Sequence, residues 1–458
     1  MNIKKFNFIY LLLTIILIGS CELTSSFTSS IDSNESSSSI ASYPAYFKPE
    51  GYKILSDIYK GVMPSAGDVN VLVIPIDFYD YPRENVTVSL MDLHLTFFGK
   101  DDEVEWESVS SYYYKSSYGK LNISGQVTPW YRASNLSTNY QDGGINSLYK
   151  LFDEIMKEVS NEDWFIPSNY DSDNDGYFDG VYFIYSTPIM TNMSNLWWAF
   201  TGEFKSSNYY NGLKLGKYVF AGIDFVSYNQ DAKLDSTVYI HETGHLLGLD
   251  DYYDYNDDIG PRGGIGKTDM MENNIGDHSS LSKILLGWVT PTVVTNSASI
   301  TIDSLVNHED VILVTNAYHD SVFDEYLLID VYDPIDLNTK QYDAYGYNCK
   351  STLTKKGVRI YHIDTKLGSG SIYGLYYYYT LFAKNNTSTS TKLIKLIEAD
   401  GGNEIETQLV ASNSDLFMDN DVFNENGKYR LYNLELFKFS IEIKENKDGS
   451  YQVNLNYL

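Results

Sequence analysis

The sequence predicts an α/β (α+β) domain followed by a β-rich domain. Three observations carry this prediction. Apolar runs at residues 71–78 (VLVIPIDF) and 180–185 (GVYFIY) have the composition of buried strands. Segments with helical spacing of apolar residues alternate with them, at 109–117, 145–159, 237–249 and 280–288, and 121–130 has strand character. Beyond about residue 295 the texture changes. Short alternating runs at 325–331, 358–363, 437–443 and 451–455 are separated by Gly, Asn and Asp, as in a sheet-rich fold. The boundaries expected are 1–21, 22–45, 46–295 and 296–458, taken in turn below.

Residues 1–21 have the form of an export signal. Lys4 and Lys5 precede an apolar stretch, 6–18, that is too short to span a bilayer comfortably. It ends in Leu17-Ile18-Gly19-Ser20-Cys21, which resembles a bacterial lipobox. Cys21 is therefore the expected lipidation site, with an acyl chain such as palmitate as the membrane contact. Residues 22–45 are rich in Ser and Thr and read as a flexible tether. The expected location is extracytoplasmic, at the bacterial cell surface. The chain has only one other cysteine, Cys349, so a disulfide scaffold is excluded.

The 458 residues include 43% hydrophobic and 21% charged ones, enough for a real core. The 61 acidic residues against 33 basic ones give a formal net charge of -28, which repels phosphate backbones and argues against nucleic-acid binding. A monomer is expected.

The chemistry is concentrated at residues 241–251, HETGHLLGLDD. On a helix, His241 and His245 project from one face, four residues apart, where two imidazoles bind one zinc ion. Glu242 lies beside the first of them, placed as general base toward a water that the metal acidifies. Gly248 lets the chain leave the helix through a left-handed turn. That turn brings Asp251 back as third ligand and leaves a fourth position for water, with Asp250 as its nearest competitor. Asp254 is open to three roles, as acceptor for one of the histidines, as a helix cap or as a calcium ligand.

The string HExxHxxGxxD resembles the metzincin clan of zinc peptidases, and other segments narrow the resemblance to the M6 family, the immune inhibitor A-like group. They are residues 71–80, 112–130 (YYYKSSYGKLNISGQVTPW), 171–184, 241–254 and 269–288 (DMMENNIGDHSSLSKILLGW), with weaker echoes at 357–364 and 396–401. The resemblance implies a metzincin-like zinc peptidase domain over 46–295, with Met271 in a methionine turn beneath the metal. It also draws attention to His278, either as a group lining the cleft and stabilising an oxyanion or as a structural hydrogen-bonding residue. Tyr252, Tyr253 and Tyr255 are further oxyanion candidates. Strand 121–130 is expected beside the cleft, pairing with an extended peptide.

Residues 171–180, DSDNDGYFDG, have the spacing of a calcium loop. Asp171, Asp173, Asp175 and Asp179 supply carboxylates and Tyr177 a backbone carbonyl, although the usual glutamate at position twelve is replaced by Tyr182. The expected activity is hydrolysis of internal peptide bonds in proteins by zinc-activated water, with structural calcium. The rival expectation is a surface binding module that keeps zinc as structure.

Overall fold

Each buried strand of the site-bearing sheet is a β-branched or aromatic run whose two faces both meet helices, so neither face alternates with polar residues. The structure is a computed structural model. It describes residues 43–458 except 101–102, 192–193, 195, 228–233, 257, 259–261, 341–352, 369–381 and 388–390. The expected signal with Cys21, most of the expected tether, and Cys349 lie outside the described residues.

The N-terminal part runs β1 (Tyr46–Phe47), α1 (Leu55–Ile58), β2 (Gly67–Asp77), α2 (Leu90–Phe98), α3 (Val109–Ser116), β3 (Leu121–Val127) and β4 (Tyr131–Arg132). It continues with α4 (Ser137–Val159), β5 (Val181–Tyr185), β6 (Phe200–Glu203), β7 (Lys217–Gly222), α5 (Thr237–Leu246), α6 (Met270–Asn273) and α7 (Ser280–Leu285). The C-terminal part adds β8 (Thr292–Val294), β9 (Ala298–Ile302), β10 (Ile312–Val314), β11 (Glu325–Tyr332), β12 (Gly357–Asp364) and β13 (Ile394–Leu396). After α8 (Glu404–Gln408) come β14 (Val422–Phe423), β15 (Phe439–Glu445) and β16 (Tyr451–Tyr457). The fold is mixed α and β with several sheets.

The first sheet has the order β3-β2-β5-β7-β6, with β4 alongside β2. Its pairs are parallel except β6 with β7, which is antiparallel. One face packs against α2, α3 and α5, through Val71, Val73, Tyr182, Ile184 and Val219. The other packs against α4, where Phe152 stacks on Phe183 with ring centroids 4.1 Å apart. Burying each such side chain stabilises the fold by about 1.5–3 kcal/mol. The helix expected at 145–159 begins earlier, at Ser137, and breaks at Gly144, whose φ of 57° interrupts the helical backbone.

A second sheet, β1-β8-β10-β11-β12-β13, faces a third, β14-β15-β16-β9, across an apolar layer that includes Ile329, Ile360, Ile441 and Val453. β1 and β8 belong to this second sheet although both precede residue 295, and Tyr43–Leu458 forms one compact unit. Tyr43, inside the expected tether, stacks on Phe47 with centroids 4.9 Å apart. Among the described residues no helix is long and apolar enough to cross a membrane.

Candidate metal centre

Helix α5 (TVYIHETGHL) is buried along Tyr239–Leu246, so its polar side chains need partners inside the protein. Tyr239 donates to the Gly222 carbonyl (2.7 Å), and Thr243 meets the Tyr239 carbonyl (2.6 Å) and the Tyr182 hydroxyl (2.8 Å). Glu242 accepts from Thr201 on β6 (2.8 Å). Lys217 Nζ donates to the His245 carbonyl (2.7 Å), a positive charge at the helix C-terminus where it is favoured.

The two histidines are fixed by backbone carbonyls. His241 Nδ1 donates to Met270 O (3.0 Å) and His245 Nδ1 to Leu249 O (2.8 Å). A carbonyl only accepts, so each Nδ1 carries the hydrogen and each Nε2 presents a lone pair. Both lone pairs meet one atom. Asp251 Oδ1 lies 2.8 Å from His241 Nε2 and 3.2 Å from His245 Nε2. That oxygen is buried and takes no hydrogen bond. Three acceptors thus converge in the interior, an arrangement that needs a cation between them. Burial lowers the basicity of His245, but Asp251 overrides it and pushes His245 up to about 9. The same pairing holds Asp251 well below the usual carboxylate range, against the effect of burial. Two imidazoles and one carboxylate are the donor set of a zinc site with one open position.

The turn after α5 does what its glycine suggests. Gly248 has φ 102°, and Leu249 N bonds back to Gly244 O (3.0 Å). The chain then reverses and delivers Asp251, which is 1% exposed. Asp250 lies outside the converging group, with its charge toward Lys217. Met271 is tucked beneath the helix, so close that a Cβ on Gly244 would stand 2.4 Å from its sulfur. Gly244→Val is therefore expected to lower stability by about 1–3 kcal/mol through overpacking, read by chemical denaturation.

Several expected roles are corrected. Asp254 does not orient a histidine, because both Nδ1 atoms are taken by carbonyls; it accepts from Asn256 N (2.8 Å). His278 is 1% exposed, ringed by Tyr112, Tyr113 and Trp288, and its Nδ1 lies 3.6 Å from Asp269 Oδ1. It belongs to the packing behind the methionine segment, since Asp269 also holds Met271 N (2.7 Å). Tyr252 is buried with its hydroxyl on Ser282 Oγ (2.9 Å). Strand β3 is at the far end of the sheet; the strand beside Glu242 is β6, the opposite edge.

The sequence did not disclose two partners. Thr201 holds Glu242, and Tyr255 donates its hydroxyl to Asp251 Oδ2. Tyr255→Phe is expected to weaken zinc binding by roughly 10- to 100-fold, as loss of a supporting partner does, measured by chelator competition. Tyr253 lies ring to ring with His241, centroids 6.4 Å apart.

In the acidic loop, Asp171, Asp173 and Asp179 bring one oxygen each within 4.8 Å of one another. Burial, with the neighbouring Asp173 and Asp171 adding to it, pushes Asp179 up to about 7 against the Ser172 hydrogen bonds. Asp175 stands outside this group and uses its oxygens on Gly61 N (3.3 Å) and Tyr177 N (2.8 Å). Tyr177 pairs with Lys214 in an isolated bridge. No family model and no curated protein matches the chain.

Proposed function

We propose that this protein is a zinc-dependent endopeptidase with a metzincin-like catalytic fold of the M6 type, lipid-anchored through Cys21 outside a bacterial cell. The observation that carries the reading is the convergence of His241 Nε2, His245 Nε2 and Asp251 Oδ1 on one buried point, with Glu242 on the same helix. Zinc held there by His241, His245 and Asp251 supplies Lewis acidity toward water and a peptide carbonyl.

The chain's own residues do the rest. Glu242 takes a proton from the attacking water and passes it to the leaving amine. Burial raises its pKa, which makes it a better base near neutral pH. Thr201 fixes the carboxylate, so its orientation does not depend on substrate. Strand β6 ends the sheet on the Glu242 side, and an extended polypeptide adds there by backbone pairing. That geometry selects unfolded or extended protein substrates over small amides.

Calcium bound by Asp171, Asp173 and Asp179 would stiffen the loop before β5 and take no part in the chemistry. The purified protein is expected to cut an unfolded casein-type substrate, to stop on chelation and to resume with added zinc. A panel of unfolded proteins left intact while small amides turn over would contradict the endopeptidase reading.

A further inference from the structure

The C-terminal part holds a second group of acids, two of them within residues 396–401. Glu398, Asp400, Glu404 and Asp415 each bring one oxygen within 4.8 Å of the others. Asp415 is fully buried. Its Oδ2 accepts from Ser412 N (2.6 Å), while its Oδ1 is buried and accepts nothing. Glu404 Oε2 is likewise buried without a donor. Glu398 Oε2 takes Glu404 N (2.6 Å), and Asp400 Oδ1 takes Gly402 N (2.8 Å). Among the described residues no Lys or Arg pairs with any of the four.

Four carboxylates at this spacing repel one another, and the two orphaned oxygens have lost water without gaining a donor. Gly402 permits the crowding, since a Cβ there would stand 1.9 Å from Glu404 Oε2. Burial and the adjoining Glu404 push Glu398 up to about 7.

We propose that Glu398, Asp400, Glu404 and Asp415 form a calcium site, separate from the zinc centre and from the 171–179 loop. The donors are all oxygens, which suits a hard cation rather than zinc. Four carboxylates exceed the one or two by which magnesium is usually held, and match calcium. The site joins the end of β13, the start of α8 and the turn before Phe417. This loop backs residues 263–266: Leu396 N bonds to Gly264 O (2.8 Å), Ala411 N to Gly266 O (2.9 Å), and a Cβ on Gly263 would lie 2.4 Å from Ile405 O. Residues 263–266 lead into Asp269–Met271, so the ion clamps the loop behind the methionine segment.

The test is calcium titration of the chelator-stripped protein by calorimetry, with melting curves in parallel, which reads calcium and not proteolysis. Glu404→Gln/Asp415→Asn is expected to lose about one equivalent of bound calcium, and with it part of the calcium-dependent rise in Tm. In chelator it should melt no lower than the wild type, because two repelling charges are gone. Asp400→Asn, at an exposed position that leaves the core untouched, should weaken the same equivalent, and Asp173→Asn should retain it. Unchanged stoichiometry in both the double variant and Asp400→Asn would overturn the site. A double variant that melts lower in chelator yet gains as much from calcium as the wild type would also overturn it, leaving a hydrogen-bonded acid cluster.

Discussion

Glu242→Ala is expected to reduce kcat by roughly 10²- to 10⁴-fold, the usual worth of a positioned general base. Zinc content should not change, because Glu242 is not among the three converging groups. The expectation follows from where the carboxylate is held. It is 6% exposed, next in sequence to His241, and pinned by Thr201 from β6. Thr201→Val should act in the same direction with a smaller loss, since it frees the carboxylate without removing it. A Glu242→Ala protein that cleaves an unfolded substrate as fast as the wild type would contradict the assigned mechanism.

Asp251→Ala is expected to lower zinc affinity by more than the roughly 10- to 100-fold that a lost supporting partner costs. It removes one of the three converging donors and strips Tyr255 of its acceptor. In the metal-free protein it also breaks a buried pair, which should cost about 3–5 kcal/mol of stability. Asp250→Ala, outside the group, should keep zinc. Chelator competition on the two variants decides between them, and zinc loss from Asp250→Ala with retention in Asp251→Ala would reverse the ligand assignment.

What the sequence disclosed were features with local causes. The HETGH spacing places two imidazoles on one helix face, and apolar runs mark β2 and β5 because both are covered on two sides. That Asp251 rather than Asp250 converges with the histidines is also a local matter, set by the turn at Gly248. The partners that tune the site were not legible, since they come from elsewhere in the chain. Thr201 sits on β6, a four-residue edge strand (FTGE) too short and too polar to announce itself. The carbonyl that fixes His241 belongs to Met270, and a backbone group carries no sequence signal. Tyr255 reaches Asp251 through an irregular segment, where spacing predicts no shared face. Helix α2 starts at a capping box formed by Ser89 and Asp92, a further signal of local origin. The sheet formed by β1, β8 and β10 pairs segments far apart in sequence, which periodicity alone cannot join.

The most direct test of the central claim is anomalous diffraction across the zinc absorption edge from crystals grown with zinc. The account predicts a peak bounded by His241 Nε2, His245 Nε2 and an Asp251 oxygen, with Glu242 beside it and not coordinating. The absence of a zinc peak there, or a peak held by Asp250 in place of Asp251, would contradict it.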